Sequence, residues 1–378
     1  MKKQYLLAPG PTPVPEDVLL AMARPIMHHR QPGFAKLFKA VQQDLRWLFQ
    51  TQSQVLTLAA TGTGAMEAAV TNFFARGDRV LVVRGGKFGE RWAEIATAYG
   101  LDPVCLDVEW GQAVKVADVK RALDQDPAIR GVLWQASETS TGVRHPVREI
   151  AELCRSRDTL SVVDAITALG VFDIQTDAWG LDIVVSGSQK ALMLPPGLGF
   201  LVASPRAWSA AERGNLPRFY FDLGRERKNQ QDGQTAWTPA VSLIVGLAEA
   251  LRMLKEEGLP GVFARHDRLA RATRAAVKAL GLRLYAGDAP TEACTAVEAP
   301  AQTDAGKIVK RLRDTYGVTI AGGQGAAKGR IFRIAHIGYC AEFDVLTAIT
   351  ALEMALSDLE VPIERGAGVA AAQRILSG

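Results

Sequence analysis

The sequence predicts an α/β protein with a large domain and a smaller C-terminal α/β domain. The large domain is built on a mostly parallel seven-stranded sheet covered by helices. Two observations carry this reading. Short apolar runs of strand type recur at Val55–Leu58, Val80–Val83, Val104–Leu106, Val132–Trp134, Leu160–Val163, Ile183–Val185 and Phe200–Ala203, and helical patterns lie between most of them. Strands that alternate with helices form a parallel sheet with both faces covered. The pattern then changes after a long helix, roughly Ser242–Glu257, which ends at Gly258-Leu259-Pro260. Beyond it the order reads helix, strand, strand, helix, strand, helix. The expected division is therefore an N-terminal segment 1–20, a large domain 21–259 and a small domain 260–378.

The elements follow in order. Prolines at 9, 11, 13 and 15 keep the first segment irregular, and it is expected to pack on the small domain or to cross to a partner subunit. Phe34, Leu37, Phe38, Val41, Leu45, Leu48 and Phe49 recur at helical spacing on one face. Thr61-Gly62-Thr63-Gly64 follows the first strand, and a helix over Ala65–Phe74 is closed by Gly77-Asp78. Further helices are expected at Phe88–Tyr99 and Val147–Arg155.

Composition narrows the function. Hydrophobic residues make up 48% and charged residues 22% of the 378, ordinary for a globular protein with a large core. The formal charge is +4, and the densest basic cluster, Arg225-Glu226-Arg227-Lys228, is short and interrupted. Nothing in it points to a nucleic-acid surface. No run of 18 apolar residues argues for a membrane span. The apolar run Tyr5–Ala8 is too short for a signal peptide. Cys105, Cys154, Cys294 and Cys340 lie dozens of residues apart, which excludes a CxxC motif and reads as reduced thiols of a cytoplasmic protein. His28-His29 lacks a third ligand at metal spacing, so no metal site is expected.

In a doubly covered parallel sheet, ligands bind beyond the carboxyl ends of the strands. Three groups stand at such ends: Thr61–Ala65, Asp164, and Lys190 in Ser186-Gly187-Ser188-Gln189-Lys190. A lysine among small residues at a strand end can become a neutral amine and form a Schiff base with an aldehyde. An acid on a neighbouring strand can hold a ring nitrogen protonated. Pyridoxal 5'-phosphate (PLP) chemistry needs that pair. The plain alternative is a surface lysine and an Asp that caps a helix. The glycines at 62 and 64 open a helix whose first N–H groups suit a phosphate, although a tight turn also favours glycine. The third glycine of a dinucleotide fingerprint is missing, because Glu67 stands there, and Gly86-Lys87 lacks the Ser or Thr of a P-loop. Phe88, beside Gly85, Gly86 and Gly89, either stacks on a cofactor ring or belongs to the core. Glu138-Thr139-Ser140-Thr141-Gly142 is a rim loop or a hydrogen-bonding wall for a ring oxygen. Arg333, in the apolar run Ile331–Ala335, needs an anionic partner, either a substrate carboxylate or an internal acid.

Taken together, these stretches resemble the class V, fold type I, PLP-dependent aminotransferases. The branch they resemble contains the alanine–glyoxylate, serine–glyoxylate and serine–pyruvate enzymes. Pro9-Gly10-Pro11-Thr12-Pro13, Phe88-Gly89-Glu90-Arg91, Trp237-Thr238-Pro239-Ala240 and Ala321-Gly322-Gly323 extend the resemblance over nearly the whole chain. It implies that Lys190 carries PLP and that Asp164 pairs with the pyridine nitrogen. Phe88 would stack on the ring, and Thr139 would bond the ring oxygen. Backbone at Thr63 and Gly64, with Gln189, would hold the phosphate, Ala65 would line it, and Arg333 would bind the substrate carboxylate. The implied assembly is a homodimer in which Thr238 reaches the phosphate of the neighbouring subunit's cofactor. Relatives often carry His where Ala65 stands, Trp for Phe88 and Tyr for Thr235, so the substrate preference of the animal enzymes does not transfer. The activity implied is transamination between alanine or serine and glyoxylate or pyruvate. The alternatives within the class are a cysteine desulfurase, for which Cys340 is the candidate nucleophile, and an aminoethylphosphonate aminotransferase. Some family members carry the label of a soluble hydrogenase subunit, but four dispersed cysteines cannot supply clustered thiolate ligation.

Overall fold

Seven strands form the central sheet of the computed structural model, which describes residues 3–377; Met1, Lys2 and Gly378 lie outside the described residues. Their spatial order is Val55–Ala59, Leu198–Ala203, Ile183–Gly187, Leu160–Asp164, Ile129–Gln135, Arg79–Arg84 and Asp102–Asp107. Only Leu198–Ala203 runs antiparallel to its neighbours. The other strands therefore end on one rim.

Side-chain alternation splits each strand between two cores. Leu81, Val83, Val132, Trp134, Val163 and Val184 enter one buried cluster. Val80, Val82, Leu133, Val162, Ile183 and Val185 enter the other. Pro32–Phe49 covers the first face with Phe34, Phe38, Val41, Leu45 and Leu48. A proline in its first turn suits the start of a helix, and Gln50 ends it in a left-handed conformation (φ 50°). Gly62–Phe73 covers the second face. It starts three residues before the expected Ala65, because the glycines are already helical. Lys87–Ala98, Val147–Arg155 and Val241–Glu257 match the expected helices within a residue.

After Gly258 the observed order is helix Leu259–Ala279, strand Cys294–Glu298, helix Ala305–Arg311, short strands Val318–Thr319 and Ala321–Gly322, strand Ile331–Ala335, and helices Glu342–Asp358 and Ala367–Leu376. The expected pair of strands ahead of the next helix reduces to one. Leu284 makes only an isolated bridge to Val297. The run Gly287-Asp288-Ala289-Pro290, with a proline that has no N–H to donate, cannot extend it into a ladder. Three strands pair antiparallel, with Arg333 opposite both Ala296 and Ala321. Their apolar faces join the C-terminal helices in a third cluster that includes Phe332, Ile334, Ile349 and Leu352. Tyr5–Leu6 pairs parallel with Val318–Thr319, and Leu7 enters the same cluster. The start of the N-terminal segment thus packs on the C-terminal strands and helices.

Candidate active site

At that rim lies a cavity of about 260 Å³, lined by Thr61, Gly62, Thr63, Phe88, Arg91, Thr139, Asp164, Ile166, Thr167, Gln189 and Lys190. Its floor begins at the start of helix Gly62–Phe73. Thr61 is the N-cap, and the first intrahelical bond runs from the Ala65 N–H to Thr61 O at 3.2 Å. The N–H groups of the preceding turn have no acceptor within the helix. A Cβ on Gly62 would stand 2.5 Å from Ile166 Cδ1, so glycine is what lets the helix reach the rim.

Asp164 ends its strand fully enclosed. Its Oδ1 accepts the Ile166 N–H at 2.8 Å, and burial raises its carboxyl to about 7. Lys190 follows the adjacent strand. Burial lowers its amine to about 8, opposed by the nearby Asp164 carboxylate. Both shifts come from desolvation, which disfavours the charged form of each group. Lys190 Nζ donates to the carbonyl of Pro9. Gln189 presents a buried Oε1 that has no partner in the protein.

Phe88 sits half-buried in the first turn of helix Lys87–Ala98, and the Arg91 guanidinium lies 4.9 Å from its ring centroid. Arg91 Nη1 also donates to Thr63 Oγ1 at 3.2 Å. Glu138 fixes this helix to the neighbouring loop. One carboxylate oxygen accepts the N–H groups of Phe88 and Gly89, both at 3.0 Å. The other accepts the Ser140 N–H at 3.1 Å and its hydroxyl. Thr139, between them, shares a hydrogen bond with Thr167 through the two hydroxyls. Burial pushes the Glu138 carboxyl up, and these donors oppose it.

Arg333 is buried beside this wall. Among the described residues no carboxylate bonds it; Nη1 donates to Thr139 O at 2.8 Å, and Nε and Nη2 donate to Gly322 O at 3.1 and 2.7 Å. Two carbonyls suffice because each offers lone pairs where an acid would have required a second buried charge. A guanidinium has five N–H groups, so one on each terminal nitrogen remains for an outside carboxylate.

Three residues expected at the cofactor are absent from the cavity lining. Ala65 is fully buried in the apolar core, and its N–H is spent on Thr61. Gly64 does not line the cavity with its side, where a Cβ would meet Ala60 and Phe221, but its N–H is among those at the helix start with no acceptor within the helix. Thr238 is exposed and lines a different crevice with Tyr220, Thr235 and Trp237. His28 and His29 stack on each other away from the cavity, and His28 Nδ1 accepts the Arg30 N–H. Cys340 also lies apart, with Met193 and Arg265, and burial pushes its thiol up to about 12. That leaves no thiolate for sulfur abstraction at neutral pH.

The residues present fit PLP. The free N–H groups at the helix start suit a phosphate, the Lys190 amine, lowered to about 8, suits an aldehyde, and Asp164 suits a pyridinium. Sequence reasoning did not reach Ile166 or Thr167, and it quoted Pro9, Arg91 and Glu138 only within longer stretches, with no role of their own. Arg91 was within reach, since it lies one helical turn from Phe88.

Comparison with known proteins agrees. The family model for class-V aminotransferases matches residues 4–340. The small subunit of a soluble hydrogenase from Synechococcus sp. (strain PCC 6716) is 45% identical over 99% of both chains. Serine–glyoxylate aminotransferase of Methylorubrum extorquens is 37% identical over 99% of this chain and 96% of its own. The crystal structure of ureidoglycine–glyoxylate aminotransferase from Bacillus subtilis superposes with a TM-score of 0.95 at 31% identity, covering 100% of this chain and 99% of that one.

Proposed function

The chain belongs to the class-V aminotransferases, which are PLP-dependent enzymes, and from that premise we propose that it moves the amino group of alanine or serine to glyoxylate, with pyruvate as a second acceptor. The observation that carries this reading is the meeting of a near-neutral Lys190 amine and a buried Asp164 carboxyl in one cavity at the sheet rim. The acceptor follows from the relatives. The relatives named serine–glyoxylate and ureidoglycine–glyoxylate aminotransferase differ in the donor named and share glyoxylate.

PLP, when bound, supplies an aldehyde for amine condensation and a protonated ring that draws electrons from the substrate Cα. The chain does the rest. Lys190 Nζ, its pKa lowered by burial to about 8 so that a sizeable fraction is neutral near that pH, takes the Cα proton and returns it. Asp164 holds the ring-nitrogen proton, fixed in direction by the Ile166 N–H. Backbone at Thr63 and Gly64, with Gln189, would hold the phosphate, Phe88 would stack on the ring, and Thr139 would bond the ring oxygen. Arg333 takes the substrate carboxylate with its two remaining N–H groups. Glu138 keeps Phe88 and Thr139 in register through its four hydrogen bonds.

The test is a donor-by-acceptor panel: alanine, serine, aspartate and aminoethylphosphonate against glyoxylate and pyruvate. Glycine formation from alanine or serine with glyoxylate is expected. Activity confined to aminoethylphosphonate would replace the donor assignment. Arg333→Lys should raise KM for donor and acceptor alike. Lysine loses the planar two-point match, and one charge-assisted hydrogen bond, about 1.5–3 kcal/mol, corresponds to roughly 10–100-fold. A change in the donor KM alone would remove Arg333 as the shared clamp.

The active form in this reading is a homodimer with shared sites. Thr238 faces solvent, away from its own chain's cavity, beside the exposed Phe219 and the half-buried Trp237 stacked on it. A twofold partner would bring it to the other phosphate. Full activity of a monomer at low concentration would contradict this. The unpaired thiols of Cys154, Cys294 and Cys340 suit a reducing cytoplasm. A disulfide recovered from native protein would contradict that placement.

A further inference from the structure

We propose that Pro9 and Gly10 form a resting station for the Lys190 side chain: the Pro9 carbonyl holds a proton of the ε-amine while it is free of the cofactor, and Gly10 leaves the space its end occupies. The inference rests on Lys190 being the cofactor lysine.

The geometry is specific. Lys190 Nζ donates to Pro9 O in a buried contact between residues 181 positions apart. Gly10 has φ +124°, and a Cβ built there would overlap Nζ and stand 2.6 Å from Cε and 2.7 Å from Cδ. Side chains do not tolerate such contacts, so any larger residue would expel the lysine. The strap that carries both residues is tied at each end. The Leu7 N–H donates to Thr319 O and the Ala335 N–H to Leu7 O, each at 2.8 Å. Thr12 Oγ1 donates to the Lys190 carbonyl at 2.9 Å. The Pro9 carbonyl is therefore fixed relative to the lysine it serves.

The chemistry gives this contact a use. The first half of a transamination frees Lys190, which stays free until the second half recaptures it. A freed ammonium in a dry cavity needs an acceptor, because an unpaired buried charge is costly. A carbonyl supplies one without adding charge, leaving Asp164 for the ring. Held there, the amine stays within reach and out of the space the incoming amino group takes. Gly10 is a positioning residue, and Pro9 acts through its backbone.

The test is a double-mutant cycle on the thermal unfolding of the cofactor-free full-length protein. Gly10→Ala should lower Tm when Lys190 is present and lower it less in the Lys190→Ala background. The cost of the left-handed φ is common to both and cancels. Should Gly10→Ala fail to fold alone, folding of the double variant supports the proposal. Equal Tm losses in the two backgrounds, or failure of both to fold, overturns it. A second readout follows PLP uptake by absorbance. The carbonyl favours the ammonium, so its loss should move the pH midpoint of uptake lower in Gly10→Ala. An unchanged midpoint overturns the proposal. If wild-type protein forms no borohydride-trapped adduct at Lys190, the cofactor assignment fails instead, and the cycle still reports the contact.

Discussion

Lys190→Ala should abolish the covalent, borohydride-trappable cofactor link and leave a folded protein that loses the yellow colour of the wild type. Turnover should fall by at least the roughly 10²–10⁴-fold that a positioned proton-transfer group contributes. Lys190 is the only lysine on the cavity wall among the described residues. The uptake of PLP by the wild type carries its own signature. Only the neutral amine attacks an aldehyde, and burial lowers the Lys190 amine to about 8. The uptake rate should therefore rise with pH through about 8 and level off, whereas an ordinary lysine would still be rising near 10. A reduced adduct at a different lysine, or a midpoint near 10, would remove Lys190 from its role.

Asp164→Asn should keep the fold and lose about 3 kcal/mol of barrier lowering, on the order of 10²-fold in turnover, by analogy with other oriented electrostatic groups. The amide cannot hold a ring cation. Its effect on stability has the opposite sign. Burial raises the Asp164 carboxyl to about 7 in the folded protein, against about 4 for an unfolded chain. The folded state thus binds the proton more tightly. The favourable contribution is complete below about pH 4 and is lost as pH rises through 7. Asparagine does not titrate, so the cofactor-free variant should be more stable than wild type at pH 8. PLP should then stabilise wild type more than the variant, because the ring cation offsets the buried carboxylate. Near-normal turnover, or a variant less stable than wild type at pH 8 without cofactor, would contradict this account.

The seven strands were legible because a doubly covered parallel strand buries both faces, and Val80–Val83 or Leu160–Val163 reads as an unbroken apolar run. The start of helix Gly62–Phe73 was less legible, since glycine is a poor helix former and the pattern shows only from Ala65. The same shift explains Ala65. Once Thr63 faces the cavity, a residue two places on turns about 200° away, into the core. Lys190 and Asp164 could be read as rim residues because Asp164 ends its strand and Lys190 comes within a few residues of the end of the next. The strap over Lys190 could not, because no local pattern joins Pro9 to a residue 181 positions later. The Arg333 partners were hidden for a related reason. A sequence shows which side chains carry charge but not where the carbonyls of Thr139 and Gly322 point.

The central claim is that this chain itself carries an amino group from one substrate to the next, and two separated half-reactions test it most directly. Protein loaded with PLP is treated with ¹⁵N-alanine or ¹⁵N-serine, freed of small molecules, and given glyoxylate alone. The account predicts ¹⁵N-glycine in an amount close to one per Lys190 site, formed only after the donor step and absent with Lys190→Ala. Label released as ammonia, or no labelled glycine after a donor step that has visibly changed the cofactor's spectrum, would contradict it.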